Sequence, residues 1–98
     1  MIGRIVLLKL HPEAMAGREA FADQALAFLR ALPMVSEVQI GLPYDEASAR
    51  SWDLSLQVFF ADADALARYT EDADHRAFVA REILPRSEVR KAWNFALR

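Results

Sequence analysis

Apolar and polar residues alternate most clearly over residues 51–60. Trp52, Leu54, Leu56, Val58 and Phe60 interleave there with Ser51, Asp53, Ser55 and Gln57. A period of two predicts a strand with one buried face. Residues 2–10 are extended in a different way, with Ile2, Val6, Leu8 and Leu10 on one side and Ile5 and Leu7 on the other. A strand apolar on both faces is one covered on both faces. The period then changes to that of a helix over 13–32, where Phe21, Ala25, Leu26, Phe28, Leu29 and Leu32 recur. Pro12 suits its first turn and Pro33 closes it. A second strand over 35–42 sets Val38, Ile40 and Leu42 against Glu37, Gln39 and Gly41, and 43–50 reads as a polar loop. Asp62 is a helix cap, and a helical region over 63–84 ends at Pro85. Residues 70–74 carry capping side chains rather than packing ones, which predicts a break with Asp72 or Asp74 restarting the helix. Val89, Trp93, Phe95 and Leu97 mark a fourth strand over 88–97.

The order β-α-β-β-α-β predicts an α+β, ferredoxin-like fold with a four-stranded antiparallel sheet. Both helices then cover one face of the sheet. The other face presents Ile5, Leu7 and Phe59 among polar residues such as Ser55 and Gln57, and an apolar patch of that kind calls for a partner. Two copies closing sheet against sheet satisfy it, so the expected partner is a second copy of the chain. Trp52 and Trp93 are expected in the core.

Composition narrows the function classes. A chain of 98 residues is expected to form a single domain over residues 1–98, and its 54% apolar content supports a packed core. With no cysteine there is neither thiolate chemistry nor a disulfide framework. A formal charge of −2 gives no electrostatic reason to approach nucleic acid or an anionic membrane. The apolar run from 5 to 8 is shorter than a signal peptide requires, and a cytoplasmic location is expected. Asp62, Asp64, Glu71, Asp72 and Asp74 match no calcium loop, and His11 and His75 form no ligand motif, so neither a metal nor a cofactor is expected.

Several stretches together resemble the stress-responsive A/B barrel (Dabb) family. They are MIGRIVLLKL at the start, LPMVSEVQIG, SWDLSLQVFF with its acidic cap and ALARY, and AWNF near the end. The resemblance spans nearly the whole chain. It implies a homodimer whose two sheets form a dimeric α/β barrel with the helices outside. Plant relatives in that family include polyketide cyclases that use a tyrosine and a histidine six positions apart, a spacing that Tyr69 and His75 share. The chain departs from the family pattern at Arg4, where a histidine is common, at Asp72-Ala73, where His-Pro is usual, and at Leu54, where the cyclases carry a polar ring.

Tyr69 and His75 are therefore the candidate catalytic pair, with His75 as a general base and Tyr69 orienting a carbonyl oxygen. Arg4 interrupts the apolar alternation of the first strand and would favour an anionic group such as a carboxylate. Val6, Leu8, Leu56 and Phe78 are expected to complete a cavity between sheet and helices for a small apolar or aromatic molecule. Three function classes follow. One is a ligand-binding dimer whose enzymatic form is a lyase or cyclase. Another is a non-catalytic stress or structural dimer. The third, by analogy of fold, is a cofactor-independent monooxygenase.

Overall fold

A computed structural model describes residues 1–98. Strands β1 (Ile2–Leu10), β2 (Glu37–Gly41), β3 (Leu54–Phe60) and β4 (Ser87–Ala96) form one antiparallel sheet in the order β2-β3-β1-β4. Helix α1 (Arg18–Arg30) follows β1, a single turn α2 (Glu46–Ala49) lies between β2 and β3, and α3 (Ala63–Glu71) and α4 (Ala73–Phe78) follow β3. This is the ferredoxin-like arrangement that the element order predicts.

The register sorts every strand residue onto one of two faces. Arg4 faces Val58 and Asn94, Val6 faces Leu56 and Ala92, and Leu8 faces Leu54 and Arg90. These positions share the helix-covered side. Leu8, Phe21, Leu29, Leu54, Val38, Val58 and Phe60 are its most completely buried side chains. Each such side chain contributes about 1.5–3 kcal/mol relative to leaving it in water. The opposite face carries Ile5, Leu7, Phe59, Val89, Trp93 and Phe95, and Leu97 folds across Gly3 there. Trp93 is 47% exposed and Phe95 50%. Trp93 thus belongs to this open face, not to the core, because Ile5 opposite it points away from the helices.

Several boundaries differ from the sequence expectation. Residues Pro12–Gly17 wind as a 3-10 helix with no fully buried residue, only Ala14 and Met15 packing against the core, and the α-helix begins only at Arg18. Pro12 starts the tight turn and Gly17, a poor helix former, ends it. The loop over 43–50 contains α2, whose first turn is capped by Asp45 accepting from the Ser48 amide at 2.9 Å. Trp52 precedes β3, half-buried beside Tyr44 along a shallow groove, so it too lies outside the core. Asp72 restarts the helix as expected, but the continuation widens into a π-helical stretch at Val79–Ile83 and then a 3-10 turn at Leu84–Arg86. Pro85 accounts for that change, since its ring clashes with the carbonyl four residues back and it has no amide to donate.

Asp53, read from the alternation as an outward-facing strand residue, is buried. Its Oδ2 accepts the Leu10 amide at 2.8 Å where the β1–β4 register shifts, and its own amide donates to the Leu8 carbonyl at 2.9 Å. The carboxylate supplies the acceptor that the shifted ladder withholds. Asp53→Ala should cost about 1–3 kcal/mol by leaving that buried amide unpaired. A urea midpoint unchanged from the parent would contradict this role.

Candidate functional site

Asp62 accepts from the Ala65 amide at 2.9 Å and opens α3, which turns Ala65 and Tyr69, one helical turn apart, toward the sheet. The Asp72 amide donates to the Tyr69 carbonyl at 3.3 Å and closes the helix. The Asp72 carboxylate then accepts from the His75 amide at 2.8 Å and opens α4. One residue therefore ends the first helix and starts the second. The chain turns between them, and two rings six positions apart meet. Their centroids lie 3.7 Å apart with the planes tilted by 33°. Phe60 meets the other side of Tyr69 edge-on at 4.8 Å and holds the phenol in place.

Behind the pair, Val6, Leu29, Leu56, Val58, Val79 and Ile83 enclose a hollow of about 20 Å³. That is room for one water. In front of it, a wider hollow of about 300 Å³ opens between α4 and the β1–β4 edge, bordered by Arg4, Tyr69, His75, Val79, Leu84 and Arg90, with Arg76 at the rim. Arg4, Tyr69, His75, Val79 and Arg90 border both spaces, so the two are front and back of one site.

The expected cavity residues separate accordingly. Arg4, Tyr69 and His75 stand at the junction of the two spaces, and Val6 and Leu56 line the inner one. Leu8 does not reach either; it is fully buried beneath α1 because it faces Leu54 one pair further along the sheet. Phe78 is also turned away, stacked on Phe28 at 4.2 Å with the rings only 7° from parallel. It borders a separate groove beside α1. Arg76, Val79 and Arg90 were missing from the sequence expectation. Arg90 was legible in principle, since placing Trp93 and Phe95 on the open face puts Arg90 on the other, beside Arg4.

Electrostatics set the protonation states. Burial pushes the Tyr69 phenol up to about 12, against the opposing pull of Arg4 and Arg90, so it remains a hydrogen-bond donor. Burial also lowers the His75 pKa below its ordinary value. The Tyr69 backbone carbonyl and Asp72 oppose that shift, and Arg4 and Arg90 reinforce it. The imidazole is accordingly neutral near pH 7. Its Nδ1 is buried without a hydrogen-bond partner. Arg4 is itself pulled below the usual guanidinium value, first by burial, and one of its amino groups donates to Asn94 Oδ1 at 3.0 Å. It stays charged at any ordinary pH. The site thus combines a neutral imidazole, a protonated phenol and fixed positive charge.

No group of three or more histidine, cysteine, aspartate or glutamate side chains converges in the chain. No helix is long and apolar enough to cross a membrane.

The fold recurs in solved structures. A Dabb family protein with a ferredoxin-like fold from Mesorhizobium loti superposes with a TM-score of 0.83 at 22% identity, over 99% of this chain and 96% of that one. A dimeric ferredoxin-like protein of unknown function from Thermobifida fusca gives a TM-score of 0.81 at 27% identity, over 98% and 90%. An antibiotic biosynthesis monooxygenase gives 0.75 at 11% identity, over 100% and 99%, a likeness of fold alone. Comparison with curated protein sequences gives no match. The family model of the stress responsive A/B barrel domain matches residues 2–96. A match over nearly the full length, on a sheet and helices in the expected order, makes this chain a member of the stress responsive A/B barrel domain family.

Proposed function

We propose that the protein is a homodimer, closed through the open faces of its two sheets, in which each protomer binds a small, largely apolar or aromatic molecule in front of Tyr69 and His75. The dimer half is supported by the cluster of Ile5, Leu7, Phe59, Val89, Trp93 and Phe95 on one sheet face. The Thermobifida fusca relative, which is dimeric, supports it further. The ligand half rests on a single observation. The two rings meet 3.7 Å apart at the inner wall of a hollow of about 300 Å³, at the lower end of the range typical of small-molecule sites.

In its enzymatic form the site acts as a lyase or cyclase. A substrate carbonyl accepts a hydrogen bond from the Tyr69 hydroxyl, and the His75 imidazole takes a proton from the adjacent carbon. The electron pair of that C–H bond moves into the enolate, whose oxygen the phenol and the nearby guanidinium groups stabilise. The resulting carbanion equivalent is ready to attack a second carbonyl of the same molecule, which is the ring-forming step of a cyclase. None of this requires a cofactor.

A non-catalytic dimer is the second reading, favoured by the inner hollow of only about 20 Å³, which the protein's own side chains nearly fill. A labelled-protein NMR titration with benzyl alcohol and benzamide separates the two. Shifts centred on Tyr69, His75 and Val79, abolished by Val79→Trp, are the outcome expected for a ligand site. Spectra unmoved at millimolar probe would leave the second reading standing.

A further inference from the structure

The hollow in front of Tyr69 and His75 has an uneven charge. Arg4, Arg76 and Arg90 border it, and no aspartate or glutamate does. The ion pairs of the chain use other arginines: Arg50 with Glu46, Arg68 with Asp64 and Arg86 with Glu82. Three guanidinium groups without an acidic partner thus surround one hollow in a chain whose formal charge is −2. Arg18, Arg30, Arg81 and Arg98 also stand without an acidic partner, but none of them borders this hollow; Arg4, Arg76 and Arg90 are set apart by converging on one space.

The sheet shows how two of them converge. Asn94 lies opposite Arg4 and Arg90 lies opposite Leu8, so all share the helix-covered face of neighbouring strands. Between Asn94 and Arg90 on that face of β4 stands only Ala92, which leaves the space between the two guanidinium groups free of a bulky side chain. Asn94 accepts from Arg4 Nη1 at 3.0 Å and fixes the direction of that fork. Arg90 makes no comparable bond and remains available. The walls beside them, Val79, Ala80 and Leu84, are apolar, and the floor is the tilted Tyr69–His75 ring pair. A planar apolar body against those walls, with an acceptor of negative charge at one end, matches this distribution. Guanidinium forks are shaped for carboxylates in particular, which they bind through parallel N–H···O bonds.

We propose that this hollow takes a small planar or aromatic carboxylic acid, its carboxylate held between Arg4 and Arg90 and its ring lying toward Tyr69 and His75. The assignment rests on the reading that the hollow is a ligand site, and it specifies the chemical class of the ligand. Arg4 and Arg90 are binding residues here. Arg76, at the rim, raises the local positive potential and steers the anion inward.

Benzoate, benzamide and phenyl phosphate, compared by NMR titration on the intact protein, test the assignment. Benzoate should bind at least about tenfold more tightly than benzamide, as expected for a charge-assisted pair of hydrogen bonds. Arg90→Gln and Arg4→Gln should each weaken benzoate binding far more than benzamide binding and so remove most of that advantage. Arg90 lies on the exposed part of an edge strand, so Arg90→Gln tests the idea even if Arg4→Gln unfolds the protein. Equal binding of benzoate and benzamide, or benzoate binding indifferent to Arg90→Gln, overturns the carboxylate assignment while the ligand site stands. Tighter binding of phenyl phosphate than of benzoate overturns it in favour of a phosphate ester. If no probe perturbs Tyr69 or His75, the ligand-site reading falls and the assignment with it.

Discussion

Trp93→Glu should turn a dimer of about twice the chain's 11.1 kDa into a monomer in light scattering at micromolar concentration. Trp93 stands opposite Ile5 on the open sheet face, beside Phe95 and close to Leu7. A central aromatic of this kind typically contributes 2 kcal/mol or more to an interface. Two-fold symmetry applies each substitution twice, so the loss is on the order of 4 kcal/mol, or about a thousandfold in the dissociation constant. A charged carboxylate in place of the indole adds its own desolvation cost. Far-UV circular dichroism distinguishes dissociation from unfolding, because the helix-covered core does not include Trp93. Phe95→Ser provides a milder second variant. A parent protein that is already monomeric, or a Trp93→Glu protein that stays dimeric, would refute the sheet-to-sheet arrangement.

The largest expected effect on chemistry lies at His75. For a substrate with an acidic carbon beside a carbonyl, His75→Ala should lower the turnover rate by about 100-fold or more, as removing a positioned general base does. Tyr69→Phe should lower it less, since it deletes one hydrogen bond to the enolate oxygen but keeps the ring against Phe60. The pH profile gives an independent check. The base must be neutral to work, and burial holds its pKa below the ordinary value of 6.5. The acid limb of the rate profile should therefore lie below pH 6.5 and vanish in His75→Ala. Turnover unaffected by His75→Ala would remove the imidazole from the reaction. An acid limb that persists in that variant would assign the titration to another group.

Much of this architecture was legible from local pattern. Alternation located β3, two-sided apolarity located β1, and the run of acidic capping residues after Tyr69 located the break at Asp72. These are signals that a few neighbouring residues carry by themselves. What escaped detection depended on pairing. Asp53 looked like one more outward residue of an alternating strand, and only the shifted register of β1 against β4 shows why its carboxylate is drawn inside. Trp93 looked like core because tryptophans usually are, whereas the register sets it on the open face. Phe78 shares a helical stripe with His75 by spacing, yet its stacking on Phe28 is a contact between distant segments that no local period encodes.

The site divides in the same way. The spacing of Tyr69 and His75 was visible, and so was the anomaly of Arg4. Arg90 was not singled out, because its neighbours in the site lie on other strands and helices. The π-helical stretch at Val79–Ile83 was equally hidden. Pro85 announced the end of the helix but not the wider winding before it, which begins at Val79 beside both hollows.

Strand β4 has two duties. One of its sides carries Val89, Trp93 and Phe95, the proposed contact with a second protomer, and the other carries Arg90 at the border of the hollow and Asn94 bonded to Arg4. As an edge strand it is anchored along one side only, by β1. In the proposed dimer, any adjustment that association imposes on its path is therefore felt at the Arg90 guanidinium, and the reverse holds equally. Thermodynamic reciprocity then demands that occupancy and assembly strengthen, or weaken, each other by one and the same factor.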